Sequence, residues 1–218
     1  MRLVNKYHPI TIHTGLYDKQ DLLELLNNQN VQADNRIEQY ELELAFHALT
    51  FGDKQVGDYL MPRRIVKVVS IDDSIGPVMM NELHDSGFSR FPVYEDRKDN
   101  IVGTLFLRDL IKSQSTGKVK DIMRPEVAYV HEDHSLHDAL TSILKTRQHI
   151  LIVVNSFEEF VGVISIEDIL EQVIGRNIQD EFDQYDDLRA VAASAAKKEH
   201  KEHQEAVPSV ETEEAVIE

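Results

Sequence analysis

The sequence predicts an α+β fold: two β-α-β-β-α repeats, preceded by short helices and followed by a disordered acidic tail. The first observation behind this is internal repetition. Val56-Gly57-Asp58-Tyr59-Leu60-Met61-Pro62 is matched by Val119-Lys120-Asp121-Ile122-Met123-Arg124-Pro125, a self-similarity with a period of about 60 residues. The second is that the same order of patterns follows each copy: strand, helix, strand, strand, helix. The third is a compositional break near the end, where residues 180–218 hold 12 acidic and 4 basic residues. The expected division is a flexible leader at 1–17, a helical segment at 18–55, repeats at 56–116 and 117–178, and the tail at 179–218.

Taken in order, the elements have local reasons. Asp18 can cap a helix in which Leu22, Leu25 and Leu26 share a face. A second helix is expected from near Ile37, with Tyr40, Leu44, Ala48 and Phe51 recurring every three or four residues and Phe51-Gly52-Asp53 as its stop. In each repeat a short strand is expected first, at residues 66–69 and 127–130. Helix starts follow at Asp73-Ser74 and Asp133-His134-Ser135. Phe91-Pro92-Val93-Tyr94 with Ile101-Val102-Gly103-Thr104-Leu105, and Ile150–Val154 with Phe160-Val161-Gly162-Val163-Ile164, supply the strand pairs. Closing helices open around Asp109-Leu110-Ile111 and Asp168-Ile169-Leu170. Units of this size are marginal alone, so the two should pack together. Beyond Arg189 there is no aromatic residue; such a stretch buries too little to offset its ordering entropy and reads as solvated.

Composition excludes several classes of function. The chain has 218 residues, 42% apolar and 28% charged, with a net charge of −16, so a packed core is expected and a nucleic-acid-wrapping surface is not. With no cysteine, disulfides, thiolate zinc sites and cysteine nucleophiles are out. The longest strongly apolar run, Ile150–Val154, falls far short of a membrane helix. Met1 leads into Arg2, Lys6 and His8 with no apolar signal-peptide core; the expectation is a soluble polypeptide.

The chemistry sits at the end of each strand pair. Copy two reads Gly162-Val163-Ile164-Ser165-Ile166-Glu167-Asp168, and copy one reads Gly103-Thr104-Leu105-Phe106-Leu107-Arg108-Asp109. A strand delivers Ser165 to a helix N-terminus with Asp168 one turn on. The Asp168 carboxylate can accept two hydrogen bonds from a ribose cis-diol, Ser165 can bond to sugar or phosphate, and the helix N-terminus favours phosphate. The competing reading is a plain N-cap at Ser165 with Asp168 complementing the helix dipole, and spacing alone favours it.

This repeat resembles the CBS domain, and two in tandem resemble a CBS pair, or Bateman module. The segments 84–94, Asp99-Asn100-Ile101-Val102-Gly103 and 157–174 are similar to the cytosolic CBS pair of CorC/HlyC (hemolysin-like) and cyclin M magnesium and cobalt transporters, over residues 18–183. The resemblance tips Ser165 and Asp168 toward an adenine-nucleotide site. It implies that Arg90, of Ser86-Gly87-Phe88-Ser89-Arg90, meets the phosphates, and that Phe88 and Phe91 border the adenine. Ser89 and Pro92 flank them, and Pro62 stands where the family lines the base pocket. A surface arginine pairing with Asp85 or Asp96, and an aromatic in the core, are the alternatives. Phe106 removes the hydroxyl from copy one and fills volume where a sugar would lie, so one of the two clefts should be occupied. In so acidic a chain Mg²⁺ would relieve repulsion of a triphosphate, making Mg-ATP the first-choice ligand and AMP or ADP the alternative. No direct protein ligand to a metal is expected.

The resemblance further implies a homodimer through the CBS helices and a transmembrane transporter domain, in the parent chain or in trans, that this chain lacks. That places it in the cytoplasm at the inner face of the plasma membrane. No enzyme is expected: G-x-S-x-G and P-loop motifs are missing from the sequence, and His131-Glu132-Asp133-His134 misses the zinc-protease spacing, with Ser135 and Asp138 reading as a capping box. The alternative function is a nucleotide-independent interaction scaffold with a vestigial cleft.

Overall fold

The computed structural model describes residues 18–30, 37–112 and 117–178; the expected leader and acidic tail lie outside them. Helix α1 (Lys19–Asn30) starts beside Asp18, whose Oδ1 accepts from the Asp21 N–H at 2.8 Å. Helix α2 (Gln39–Thr50) begins at a capping box between Glu38 and Glu41. Its buried residue is Leu42, with Phe51 just beyond its end, while Tyr40, Leu44 and Ala48 face outward. The expected stripe is therefore buried only at its Phe51 end, and Leu42, on another face, is buried as well. This helix carries apolar residues on both sides, and packing against another helix, not periodicity, chooses between them.

The first repeat contains β2 (Val69–Ser70), α3 (Pro77–Asp85), β3 (Arg90–Tyr94), β4 (Ile101–Phe106) and α4 (Leu107–Lys112). The second contains β5 (Tyr129–His131), α5 (Leu136–Thr146), β6 (Ile150–Val154), β7 (Phe160–Ser165) and α6 (Ile166–Ile174). Helix α3 starts later than expected because Pro77 occupies its first turn, and Asp73 instead accepts the Ser70 N–H at 2.8 Å. Helix α5 begins at Ser135, whose hydroxyl oxygen accepts from the Asp138 N–H while Asp138 accepts in return.

The structural units do not coincide with the sequence repeats, because each copy's lead-in completes the other copy. β1 (Met61–Pro62) pairs antiparallel with β7, giving a four-stranded sheet in the order β1-β7-β6-β5. Arg124 forms the equivalent bridge to Thr104, on the β4 edge of the three-stranded sheet β2-β3-β4. Upstream, Val56 and Gly57 donate to the His134 and Glu132 carbonyls, while Val119 and Lys120 donate to those of Asp73 and Ile71. Val56 and Leu60 are accordingly buried among Leu136, Leu151, Ile164 and Ile169, and Val119 among Leu83, Phe91, Leu105 and Leu110. Each fully buried side chain of this size stabilises by about 1.5–3 kcal/mol, so neither copy is complete without the other's lead-in.

A third cluster, Ile101, Ile152, Phe160 and Val163, closes the interface between the two sheets. The Tyr129 hydroxyl crosses it, donating to the Ile101 carbonyl at 2.6 Å. Tyr129→Phe should lower stability by about 0.5–1.5 kcal/mol, read as a urea midpoint shift. Burial raises the Tyr129 pKa. A neutral phenol favoured in the folded state gives stability that is present below the unfolded tyrosine pKa and lost as pH rises through the higher folded value. The wild type should lose that increment in alkaline urea titrations, and the Phe variant should not.

Candidate functional site

The two expected clefts lie one at the end of each strand pair. In the second, β7 ends at Ser165, the N-cap of α6. The Ser165 N–H and hydroxyl both donate to Asp168 Oδ2, at 2.8 and 2.7 Å, and the Asp168 N–H donates back to Ser165 Oγ at 3.0 Å. Both residues are half-buried. The same reciprocal box holds Ser135 and Asp138 at the start of α5, away from any cleft, so capping accounts for part of what the pair does. Pro62 lies across from Gly162, on the strand that leads to Ser165. A proline fits this two-residue edge strand, where its missing N–H costs no ladder bond. The close approach needs Gly162, since a Cβ there would overlap the Met61 carbonyl oxygen.

The remaining expected residues lie on the first repeat. Arg90 opens β3 and stretches toward α6, with its Nη1 at 4.0 Å from Glu167. It therefore pairs with neither Asp85 nor Asp96, and it reaches the residue beside Asp168. The Ser89 carbonyl accepts from the Leu107 N–H at 3.0 Å, which ties Ser89 to the start of α4 rather than to Ser165. Phe91 and Pro92 are buried, and Phe91 is 0% exposed in the first core, so neither has surface to offer a ligand. Phe88 packs against the edge of that core. The structure thus brings together Ser165 and Asp168, with Arg90 beside their neighbour Glu167, sets Pro62 opposite Gly162, three residues back along β7, and leaves Phe88, Phe91 and Pro92 as packing residues.

The first cleft departs from expectation. Phe106 does not fill it: a cavity of about 590 Å³ remains, walled by Arg90, Phe106 and Arg108 from one repeat and Arg124, Arg147 and His149 from the other. Three guanidiniums gather on the Phe106 ring, Arg124 at 4.2 Å, Arg108 at 5.0 Å and Arg90 at 5.8 Å from its centre. Asp109 is engaged by Arg124 at 3.0 Å and by Arg108 at 3.8 Å. Among the described residues no group of three or more His, Asp or Glu side chains converges to hold a metal ion, and no helix is long and apolar enough to cross a membrane.

Comparison with known proteins decides the family. The CBS domain profile matches twice, at residues 56–115 and 119–175. The chain belongs to the CBS domain family. Among curated proteins this CBS pair is similar to the magnesium and cobalt efflux protein CorC of Pasteurella multocida, 31% identical over 173 residues, 78% of this chain and 56% of that one. It is also similar to hemolysin C of Brachyspira hyodysenteriae, 33% identical over 145 residues, 66% of this chain and 53% of that one. The chain spans about half the length of the curated relatives it matches. The CBS domain of a bacterial CNNM/CorC family Mg²⁺ transporter, solved in complex with ATP, shares the fold: TM-score 0.58 at 23% identity, covering 62% of this chain and 98% of that one.

Reading the CBS pair from sequence missed Arg108, Arg124 and Arg147. A signal for one of them was present. The repeat alignment sets Met123-Arg124-Pro125 against Leu60-Met61-Pro62, which makes Arg124 the counterpart of Met61 without saying which sheet either one edges.

Proposed function

We propose that this CBS pair is a regulatory module that binds an adenine nucleotide in the second cleft, with Mg-ATP preferred over ADP or AMP. In this reading it controls a CorC-like divalent-cation transporter whose membrane domain lies in the parent chain or in trans, at the inner face of the plasma membrane. The observation that carries the reading is the placement of Ser165 and Asp168 at the N-terminus of the nine-residue α6, with Arg90 beside the adjoining Glu167 and Pro62 on the strand paired to β7. Asp168 takes the ribose diol, Ser165 the sugar or α-phosphate, and Arg90 the phosphates. Control follows from differential affinity for two arrangements of the repeats. Exposed Val78, Ile111, Leu144, Leu170 and Ile174 on helices α3 to α6 supply an apolar surface for a homodimer, which light scattering at high concentration tests.

Thermal unfolding with ATP, ADP and AMP, each with and without Mg²⁺, tests the nucleotide. A ligand at about 100 times its dissociation constant adds roughly 2.7 kcal/mol, a shift of several degrees. Asp168→Ala should weaken binding roughly 10- to 150-fold. Asp138→Ala, which breaks the matching box on α5, is the control and should leave binding intact. Equal binding by Asp168→Ala and wild type removes Asp168 from the site. No shift with any nucleotide makes the pair an interaction scaffold.

A further inference from the structure

We propose that the first cleft is a site for a chain of condensed phosphates and takes no nucleoside. The proposal does not require the second cleft to bind a nucleotide. In a chain of net charge −16, four guanidiniums and His149 converge on one cavity, with Glu126 as the carboxylate on its wall. Like charges gathered this way repel one another, and a polyanion relieves that repulsion. The cavity, about 590 Å³, is within the range of small-ligand sites.

Sugar-binding chemistry is missing here. Phe106 stands where the second repeat has Ser165, and the Asp109 carboxylate that would take a diol is held by Arg124 and Arg108. Phosphate-binding chemistry remains. A guanidinium carries five N–H donors, so an ion pair to Asp109 or Glu167 leaves most of each fork for a second anion. Stacking on the Phe106 ring holds three of them in place, and the buried Arg90 Nε has no hydrogen-bond partner. Arg147 adds a further sign. It caps α5 in the left-handed region, φ 56°, where its counterpart after α3 is Gly87, φ 75°. An arginine at a position that favours glycine points to a role other than folding.

The phosphates come either from free polyphosphate or from the tail of a nucleotide seated in the second cleft. Calorimetric titration of the full chain with tripolyphosphate, ATP and adenosine tests the site and separates the sources. One tripolyphosphate per chain is expected, with Arg108→Ala weakening it roughly tenfold or more. Arg147→Gly should weaken it as well while leaving the melting temperature unchanged or raised, so that lost binding is not lost folding. Asp168→Ala should retain it. Uptake blocked by prior ATP assigns the phosphates to the nucleotide tail, and uptake alongside ATP assigns them to free polyphosphate; both support the site. No uptake by wild type, uptake unchanged in both arginine variants, uptake lost in Asp168→Ala, or a nucleoside that still binds in Asp168→Ala overturns it.

Discussion

Phe91→Ala is expected to lower the free energy of unfolding by about 3–5 kcal/mol, the largest loss from any single truncation considered. The ring is 0% exposed and sits among Leu83, Val93, Leu105, Leu110 and Val119. Two of its neighbours are decisive. Leu83 comes from α3, which has no other buried residue, and Val119 comes from the second repeat's lead-in. The cavity left by truncation would loosen both at once, and interiors relax only partly around such a void. Equilibrium urea unfolding reads the result as a lower midpoint with little change in slope. Phe91→Leu keeps most of the volume and should cost much less, while retaining whatever nucleotide shift the wild type shows. A truncation that leaves stability intact but abolishes nucleotide binding would return Phe91 to the pocket wall.

Gly162→Ala is expected to destabilise by about 3 kcal/mol and to disturb the second cleft in the same stroke. The new methyl would overlap the Met61 carbonyl oxygen and lie 2.7 Å from Leu60 Cδ1. The first obstacle is backbone, which cannot swing aside as a side-chain tip can. Relief requires β1 to move off β7, which withdraws Pro62 from the strand leading to Ser165 and pulls the buried Leu60 out of the second core. Gly52→Ala is the matched control, because a Cβ there meets nothing within 4 Å. Thermal unfolding of both variants, with and without Mg-ATP, should show a large drop in melting temperature and a reduced ligand shift for the first and neither for the second. Full stability in Gly162→Ala would mean that β1 is free to detach, and that the exchange of lead-in segments is not needed for the fold.

Much of this molecule is legible in local sequence. Strand β6 falls on Ile150–Val154 as its apolar run indicates, and β7 extends one residue past its expected end to deliver Ser165. Asp18, Ser135 and Ser165 stand at helix starts because their side-chain oxygens meet otherwise unpaired N–H groups. The failures come from contacts that local patterns do not carry. The stripe on α2 is only partly covered because QYELELAFHALT carries apolar residues on both sides, and α2 packs on α1 and also on α6, more than a hundred residues away. The His47 ring occupies the space that a Cβ on Gly175 would take, so α2 approaches the end of α6 closely. Among the candidate site residues, the positions of Ser165, Asp168 and Pro62 are legible because a strand, a cap and a proline each announce themselves over a few residues. Phe91 looked available only because alternation along a strand does not say which face is covered.

By itself, the sequence determined that the chain has two repeats, the order of elements within each, and the unequal pair of motif ends, Ser165 with Asp168 against Phe106 with Asp109. Those features depend on periods of two and 3.6 residues and on caps that act over one turn. Tertiary structure alone decided that Met61 and Pro62 complete the second sheet while Arg124 edges the first. It also decided that Arg90, Arg108, Arg124 and Arg147 converge on one cavity. Strand-edge pairing joins backbone groups common to every residue, so the choice of partner follows from which edge the rest of the fold leaves open. Charges from four separate segments meet only because that choice sets the register between them.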